Sequence, residues 1–227
     1  GRLSNEELYL TKKIAVALGT ELIATVPRIG ETDGKLISAD RNPNTTGASL
    51  IWGTSDPSEK LDAIREGVSS GRIKALIVLS EDLLEEAGFN STDLKKIDHL
   101  VVSHTHANPT ASHAKVVFSG AGFAEKRATY VNVTGRLQRS NQAIIAPGES
   151  RDDWEFLAAL LSQLDENFSP PASIDTILNN ISSEVTEFEG QTFGSIGDLG
   201  IQITETGVAI PLLEQEKARV ESGQIVG

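Results

Sequence analysis

The chain has 227 residues, a formal net charge of −12 and no cysteine. Its acidity argues against a nucleic-acid phosphate surface, which needs clustered Lys and Arg, and reads simply as solubility. The missing cysteines exclude a disulfide, a thiolate zinc site or an iron–sulfur cluster held by this chain alone, and no apolar run approaches the roughly 18 residues of a membrane span.

The chain opens Gly1-Arg2-Leu3-Ser4, with neither an initiator Met nor a signal-peptide pattern, and reads as a piece of something longer. Ser4 is a good N-cap, and Leu8, Leu10, Ile14, Ala15 and Leu18 follow at helical spacing up to a stop at Gly19. Glu21–Val26 is a strand candidate, and residues 27–49, rich in Gly, Asn, Asp, Thr and Pro, read as a long surface loop that binds something or packs on a neighbour. Next come a helix from Ser58 to Ser69, a strand Ile73–Leu79 apolar enough to be buried on both faces, a short helix Ser91–Lys96, a buried strand Leu100–Ser103, a helical turn Pro109–His113 and a strand Lys115–Phe118. This alternation predicts an α/β fold with a Rossmann-like parallel sheet and flanking helices, its first strand lying at 21–26 or before Gly1.

After residue 119 the character changes. Thr129–Val133 alternates, Arg136–Ile145 continues as extended or hairpin chain, and Pro147-Gly148-Glu149-Ser150 is a turn. Helices are expected over Arg151–Leu164 and from the Ser173 cap to Ile181, then a loosely packed tail from Ser182 with a terminal helix over Leu212–Glu221. The expected division is an α/β domain over 1–146 and a helical extension with an irregular tail over 147–227.

Three groups of residues are candidates for chemistry. In an open parallel sheet, ligands sit beyond the carboxyl ends of the strands, which places Ser80, Asp82, Ser103 and Thr105 where a nucleotide-like cofactor would bind. The same residue types also cap the helices that follow. His104-Thr105-His106 after a strand has the form of a metal-ligand pair, but no carboxylate–His partner follows His113, and polar loop residues are the default reading. Gly120-Ala-Gly122 lacks the third glycine of a dinucleotide fingerprint and the Lys-Ser/Thr of a phosphate cradle, so a turn is expected. No nucleophile–base arrangement can be assigned. The densest polar stretch is 123–139, with Glu125, Lys126, Asn132, Thr134, Arg136 and Gln138.

Those residues also carry a resemblance. Asn108-Pro-Thr-Ala-Ser-His113, Val116-Val-Phe118, Gly122-Phe-Ala-Glu125-Lys126, Thr129-Tyr-Val-Asn132-Val-Thr134-Gly-Arg136-Leu-Gln138 and Pro147-Gly-Glu149 through Asp153-Trp154 resemble the late portion of the molybdopterin oxidoreductase fold. Upstream, Ser4-Asn5-Glu6-Glu7 and Asn42-Pro-Asn44-Thr-Thr-Gly47-Ala48 look like the large iron–sulfur subunit of the NADH–quinone oxidoreductase branch, respiratory complex I. The resemblance implies a cysteine-free C-terminal piece whose iron–sulfur clusters lie in a missing N-terminal part. It further implies a scaffold role beside other subunits of a respiratory complex, cytoplasmic and peripheral to the inner membrane, with no catalytic or metal-binding residue of its own.

In pterin-binding members the stretch matching 129–138 helps hold a molybdopterin guanine dinucleotide. If that pocket is retained, Asn132, Thr134, Arg136 and Gln138 would contact pterin or phosphate, and Ser80, Asp82, Ser103 and Thr105 the guanosine end. That is the alternative reading, a cofactor-binding domain of a formate dehydrogenase-like oxidoreductase. The chain departs from the family pattern at Lys115, Ser119, Arg127-Ala128 and Thr134, where the pattern has Asp, Pro, Asp-Gly and Glu, so the expected pocket is degenerate.

Overall fold

The computed structural model describes residues 1–208 and 210–222. Helix α1, Asn5–Ala17, starts in a capping box in which the Ser4 and Glu7 side chains satisfy each other's backbone N–H groups, a device worth about 1 kcal/mol. Helix α2, Thr45–Trp52, packs against α1. Helix α3, Leu61–Ser69, is followed by β1, Ala75–Leu79, and the short α4, Leu83–Glu86, and α5, Ser91–Leu94. Strands β2, His99–His104, and β3, Val116–Ser119, complete a parallel sheet in the order β1-β2-β3.

The second half is an antiparallel hairpin of β4, Ala128–Val131, and β5, Arg136–Ser140, then α6, Asp153–Leu164, and α7, Ile174–Glu184. The chain continues through α8, Phe193–Ile196, a strand β6, Ile201–Gln202, that pairs with β5, and α9, Pro211–Glu221. The fold is therefore α/β, with a parallel three-stranded sheet and flanking helices followed by a hairpin region and further helices, as the alternation of elements predicts.

Two apolar clusters hold it together. One lies between the sheet and α3 to α5, with Ile64, Val68, Val78, Leu94, Leu100 and Val102. The other joins α1, α2, the hairpin, α6 and α7, and includes Leu8, Ile51, Leu137, Leu157, Leu178 and Phe188. Helix α7 shows the logic in miniature: Ile174, Ile177, Leu178 and Ile181 recur at helical spacing and all four are buried, each contributing about 2 kcal/mol by leaving water.

Four expectations are corrected. Residues 21–26 form no strand, because Thr25 N–H donates to the Pro57 carbonyl at 2.8 Å and Ile23 N–H to Glu21, which takes these groups away from the edge of β1. The surface loop at 27–49 ends early: Asn44 is fully buried and α2 starts at Thr45, while Asn42 Nδ2 donates to the Val26 carbonyl at 2.9 Å. Strand β1 is not buried on both faces; it lies at a sheet edge, with Val78 buried, Ala75 exposed and the other three half-buried. The described part of the tail is packed, since Phe188, Phe193 and Ile196 enter the larger core. At the opposite edge, β3 leaves Val116, Val117 and Phe118 exposed, with the Phe118 ring stacked on Phe156 at a centroid distance of 4.5 Å. The terminal helix forms, and residues 223–227 lie outside the described residues.

Candidate functional site

The rim of the sheet is built by the ends of β1 and β2. Ser80 turns the chain out of β1 with a left-handed φ of 57°, which is unusual for a side chain other than glycine. Its N–H donates to the Ser103 carbonyl at 2.8 Å, and its carbonyl accepts from Arg2 Nη1 at 3.1 Å. Arg2 also pairs with Glu86 at 2.7 Å, and Arg28 pairs with Glu81 and Glu86.

Asp82 caps α4: its Oδ1 accepts from Leu84 N–H at 3.0 Å and from Thr110 Oγ1 at 2.7 Å. Ser103 is completely buried and donates its hydroxyl to Asp153. Thr105 is exposed and bonds to His106 Nδ1 at 2.8 Å. His104 Nδ1 accepts from the His106 backbone N–H at 3.1 Å; partial burial holds this imidazole below its usual pKa. No group of three or more potential metal ligands occurs among the described residues.

The second candidate set lies elsewhere. Asn132 closes the β4–β5 hairpin by accepting from Thr134 N–H at 3.0 Å, Thr134 Oγ1 at 2.9 Å and Arg136 N–H at 3.0 Å, an Asx turn. The tip is clamped from outside. Arg136 Nη1 donates to the Gly200 carbonyl at 3.1 Å, Thr206 Oγ1 to the Val133 carbonyl at 2.7 Å, and Gln202 Nε2 to the Thr134 carbonyl. Gly135 sits at φ 85°, where an added Cβ would lie 2.1 Å from the Thr204 carbonyl oxygen, so glycine is required. Gln138 pairs across the hairpin with Tyr130 and is exposed. The structure thus brings Ser80, Asp82 and Ser103 together at the rim, with Thr105 just beyond, while Asn132, Thr134 and Arg136 face the 199–206 segment.

Between the rim and the hairpin runs a buried polar chain whose members the sequence marks separately, as motif residues or candidates, without linking them to one another. Asn44 Oδ1 accepts from Val131 N–H at 2.8 Å, and Asn44 Nδ2 donates to Asn5 Oδ1 at 3.0 Å. Asn5 Nδ2 donates to Thr129 Oγ1 at 3.0 Å, and Thr129 donates its hydroxyl to Glu6 at 2.7 Å and its N–H to the same carboxylate at 3.1 Å. Glu7 pairs with Lys126, and Asp153 bonds to Ser103. Gly47 lets this chain close: a Cβ there would lie 2.2 Å from Asn44 Oδ1 and 2.3 Å from Asn5 Oδ1.

The charges in this chain are strained by burial. Burial pushes the Glu6 carboxyl up to about 7, against its hydrogen bonds from Thr129. Burial and then the Glu7 charge push Asp153 up to about 7. For Lys126, burial favours the neutral amine, but the negative charge of Glu7 outweighs it and holds the ammonium form. The sequence signal for these residues is present but local: Glu6 and Glu7 stand in the Ser4-Asn5-Glu6-Glu7 motif, and Asp153 in the one that ends Asp153-Trp154.

Residues 44–163 match the molybdopterin oxidoreductase family, and the chain belongs to it. Among the relatives, the F420-dependent formate dehydrogenase 2 subunit alpha of Methanococcus maripaludis is 28% identical over 180 residues, 74% of this chain and 26% of the relative. An NADH-quinone oxidoreductase subunit of Shewanella oneidensis is 35% identical over 130 residues, 54% of this chain and 14% of the relative. The chain therefore spans about a quarter or less of the length of these relatives. A solved structure, acetylene hydratase from Pelobacter acetylenicus, overlays with a TM-score of 0.48 at 18% identity, over 66% of this chain and 22% of that one.

Where the family pattern has Asp-Gly, this chain has Arg127-Ala128. The Arg127 guanidinium pairs with Asp175 of α7 and lies 3.9 Å from the Phe193 ring centroid, while Ala128 is 1% exposed. The departure ties the hairpin to the helices beneath it.

Proposed function

We propose that this chain is a scaffold portion of the large subunit of an NADH–quinone oxidoreductase, supporting electron transfer without holding a redox centre of its own. One observation carries the reading: the polar groups that would grip a pterin dinucleotide are spent inside the protein. Ser103 is committed to Asp153, Asp82 to the start of α4 and to Thr110, Asn132 to its own turn and Arg136 to the 199–200 carbonyls. Only Thr105 and Gln138 of the eight present their side chains mainly to solvent. No chemical step is assigned to a pterin here.

Subunit names among the relatives suit a role within an assembly, with other subunits of the complex as partners. The place proposed for the chain is cytoplasmic, peripheral to the inner membrane through that complex. No described helix is long and apolar enough to cross a membrane. Iron–sulfur clusters in this reading belong to polypeptide outside residues 1–227.

The second reading, a pterin-dinucleotide-binding domain of a formate dehydrogenase-like enzyme, is favoured by the formate dehydrogenase relatives. Metal and pterin analysis of the protein purified in its native complex separates the two. The scaffold reading expects molybdenum and tungsten well below stoichiometric; one metal per chain with releasable pterin overturns it.

A further inference from the structure

Strand β3 is the outer edge of the parallel sheet on the side away from β1. Which of its backbone groups face outward follows from the bonds at the strand ends. Toward β1, β2 uses its odd residues: His99 N–H donates to the Lys74 carbonyl at 2.9 Å, and the Ser103 carbonyl accepts from Ser80 N–H at 2.8 Å. The even residues of β2 therefore face β3, in keeping with the bond from Gly120 N–H to the His104 carbonyl at 3.2 Å. In the register Val102↔Val117 and Ser103↔Phe118, Val116 and Phe118 then bond to β2, and Lys115, Val117 and Ser119 turn outward. Two groups of these three residues are already spent. Lys115 N–H donates to the Leu100 carbonyl at 2.8 Å, and the Ser119 carbonyl accepts from Arg151 N–H at 3.1 Å. The N–H groups of Val117 and Ser119 and the carbonyls of Lys115 and Val117 make no hydrogen bond among the described residues.

This set of groups is its own complement. Let a second copy lie antiparallel along the edge with Val117 opposite Val117. Each Val117 N–H then meets the other copy's Val117 carbonyl, and each Ser119 N–H meets the other copy's Lys115 carbonyl. The spent groups, Lys115 N–H and the Ser119 carbonyl, fall opposite each other, so nothing free is left over. Sliding the copy to the next in-phase register sets a free group against a spent one: Val117 N–H against the Ser119 carbonyl in one direction, the Val117 carbonyl against Lys115 N–H in the other. The side chains agree with this register. Val116, Val117 and Phe118 are 45%, 56% and 39% exposed. In the pair, Val117 meets Val117 on one face, and Val116 meets Phe118 on the other, beside the Phe118–Phe156 stack. Lys115 comes opposite Ser119, whose hydroxyl bonds to Ser150 at 2.6 Å, next to Glu149. Neither Lys115 nor Glu149 has an ion-pair partner among the described residues, and the pairing brings them together across the axis.

We propose that the β3 edge is an interface between two copies of this chain, paired antiparallel about a twofold axis through Val117 so that the two three-stranded sheets become one continuous sheet. Three features select a second copy as the occupant. Its free donors and acceptors match those of the edge one for one in a single register. Its charges are complementary there, Lys115 against Glu149. Its length fits, because Arg151 bridges Gly120 and closes the edge beyond Ser119, leaving only Lys115–Ser119 open. The exposed parts of Val116, Val117 and Phe118, with the strand backbones and flanking loops, give on the order of 1,000 Å² in total, below the usual size of a permanent complex. The pair is therefore weak and concentration-dependent, with a dissociation constant on the order of 10–100 µM. The contact goes beyond the scaffold reading and does not rest on it.

The test is sedimentation velocity together with residue-by-residue amide exchange on the 227-residue chain, from about 10 µM to about 1 mM. The expected result is a mass that rises toward twice that of the monomer, with exchange at Val117 and Ser119 slowed at least about tenfold at the high end. Val116 and Phe118, already bonded to β2, should change little. Val117→Lys sets two like charges face to face on the axis and should move the association to at least about tenfold higher concentration. Val117→Glu should do the same, and an equimolar mixture of the two variants should pair at least as tightly as wild type. If either variant fails to fold, the concentration dependence and the exchange pattern of the wild type still decide. A chain that stays monomeric at about 1 mM overturns the proposal, as does a dimer that Val117→Lys leaves unchanged, or concentration-dependent slowing that spares Val117 and Ser119. Slowing that requires an added strand-forming peptide, acetyl-Lys-Val-Ala-Ile-Val-Ala-Lys-amide, and does not grow with protein concentration assigns the edge to a foreign strand and equally overturns it.

Discussion

Glu6→Gln offers the sharpest test of the buried polar chain. Glu6 is completely inaccessible, and burial raises its pKa from 4.5 to about 7. A carboxyl raised on folding means that the folded state holds a proton the unfolded state has lost, so the contribution is present in full below about 4.5 and is lost as pH rises to about 7. That raised carboxyl corresponds to roughly 2.5 kcal/mol of stability lost across that window. Asp153, raised from 3.8 to about 7, acts with the same sign, whereas His104, held below its usual value, acts with the opposite one. A comparison of variant with wild type cancels both.

The assay is urea unfolding followed by Trp52 and Trp154 fluorescence at pH 5, 6, 7 and 8. Glutamine does not titrate, so the variant should lose about 2.5 kcal/mol less than wild type between pH 5 and 8. At pH 8 it should be the more stable of the two. Equal slopes in the two proteins would refute the assignment of a buried, proton-holding Glu6.

Three further outcomes are expected. Gly47→Ala should destabilise by about 2–4 kcal/mol, because its methyl collides with the Asn44 and Asn5 side-chain oxygens; the urea midpoint measures it. Lys126→Met leaves Glu7 buried without its cation and should cost about 3–5 kcal/mol in urea unfolding. Phe188→Ala should cost about 3–5 kcal/mol in thermal or urea unfolding, since the ring is fully buried; a loss below about 1 kcal/mol would mean that the tail is not part of the core.

What can be read from the sequence is mostly what is local. Apolar periodicity locates α1, α6 and α7, the Ser4 and Ser173 caps, and the parallel strands, because helix and strand periods are set by neighbours a few residues apart. Asn44 shows where local reading fails. In a Gly- and Asn-rich stretch it looks like surface loop, yet it is buried by Leu3, Asn5 and Val131, partners that no local pattern reveals.

The rim is legible as a place and not as an arrangement. Ser80, Asp82, Ser103 and Thr105 do stand at the strand ends, but that Ser103 points at Asp153, fifty residues on, depends on how α6 docks. The packing of the tail escapes the sequence for a related reason. Its apolar residues are too widely spaced to show a period, and they are buried because the hairpin gives them something to cover.

Apart from the Ser4 capping box, the charges at the start of α1 are answered by residues far along the chain: Glu7 by Lys126, 119 positions later, and Glu6 by Thr129, 123 positions later. On a ribosome adding about 5–20 residues per second, that is a wait of roughly 6–25 seconds. Until then α1 emerges as an amphipathic helix whose apolar face lacks α6 and α7 and whose first turn carries acids with no cation. A nascent chain in this condition invites a chaperone, and truncation anywhere before about residue 160 should yield a product that is degraded instead of one that is merely shorter.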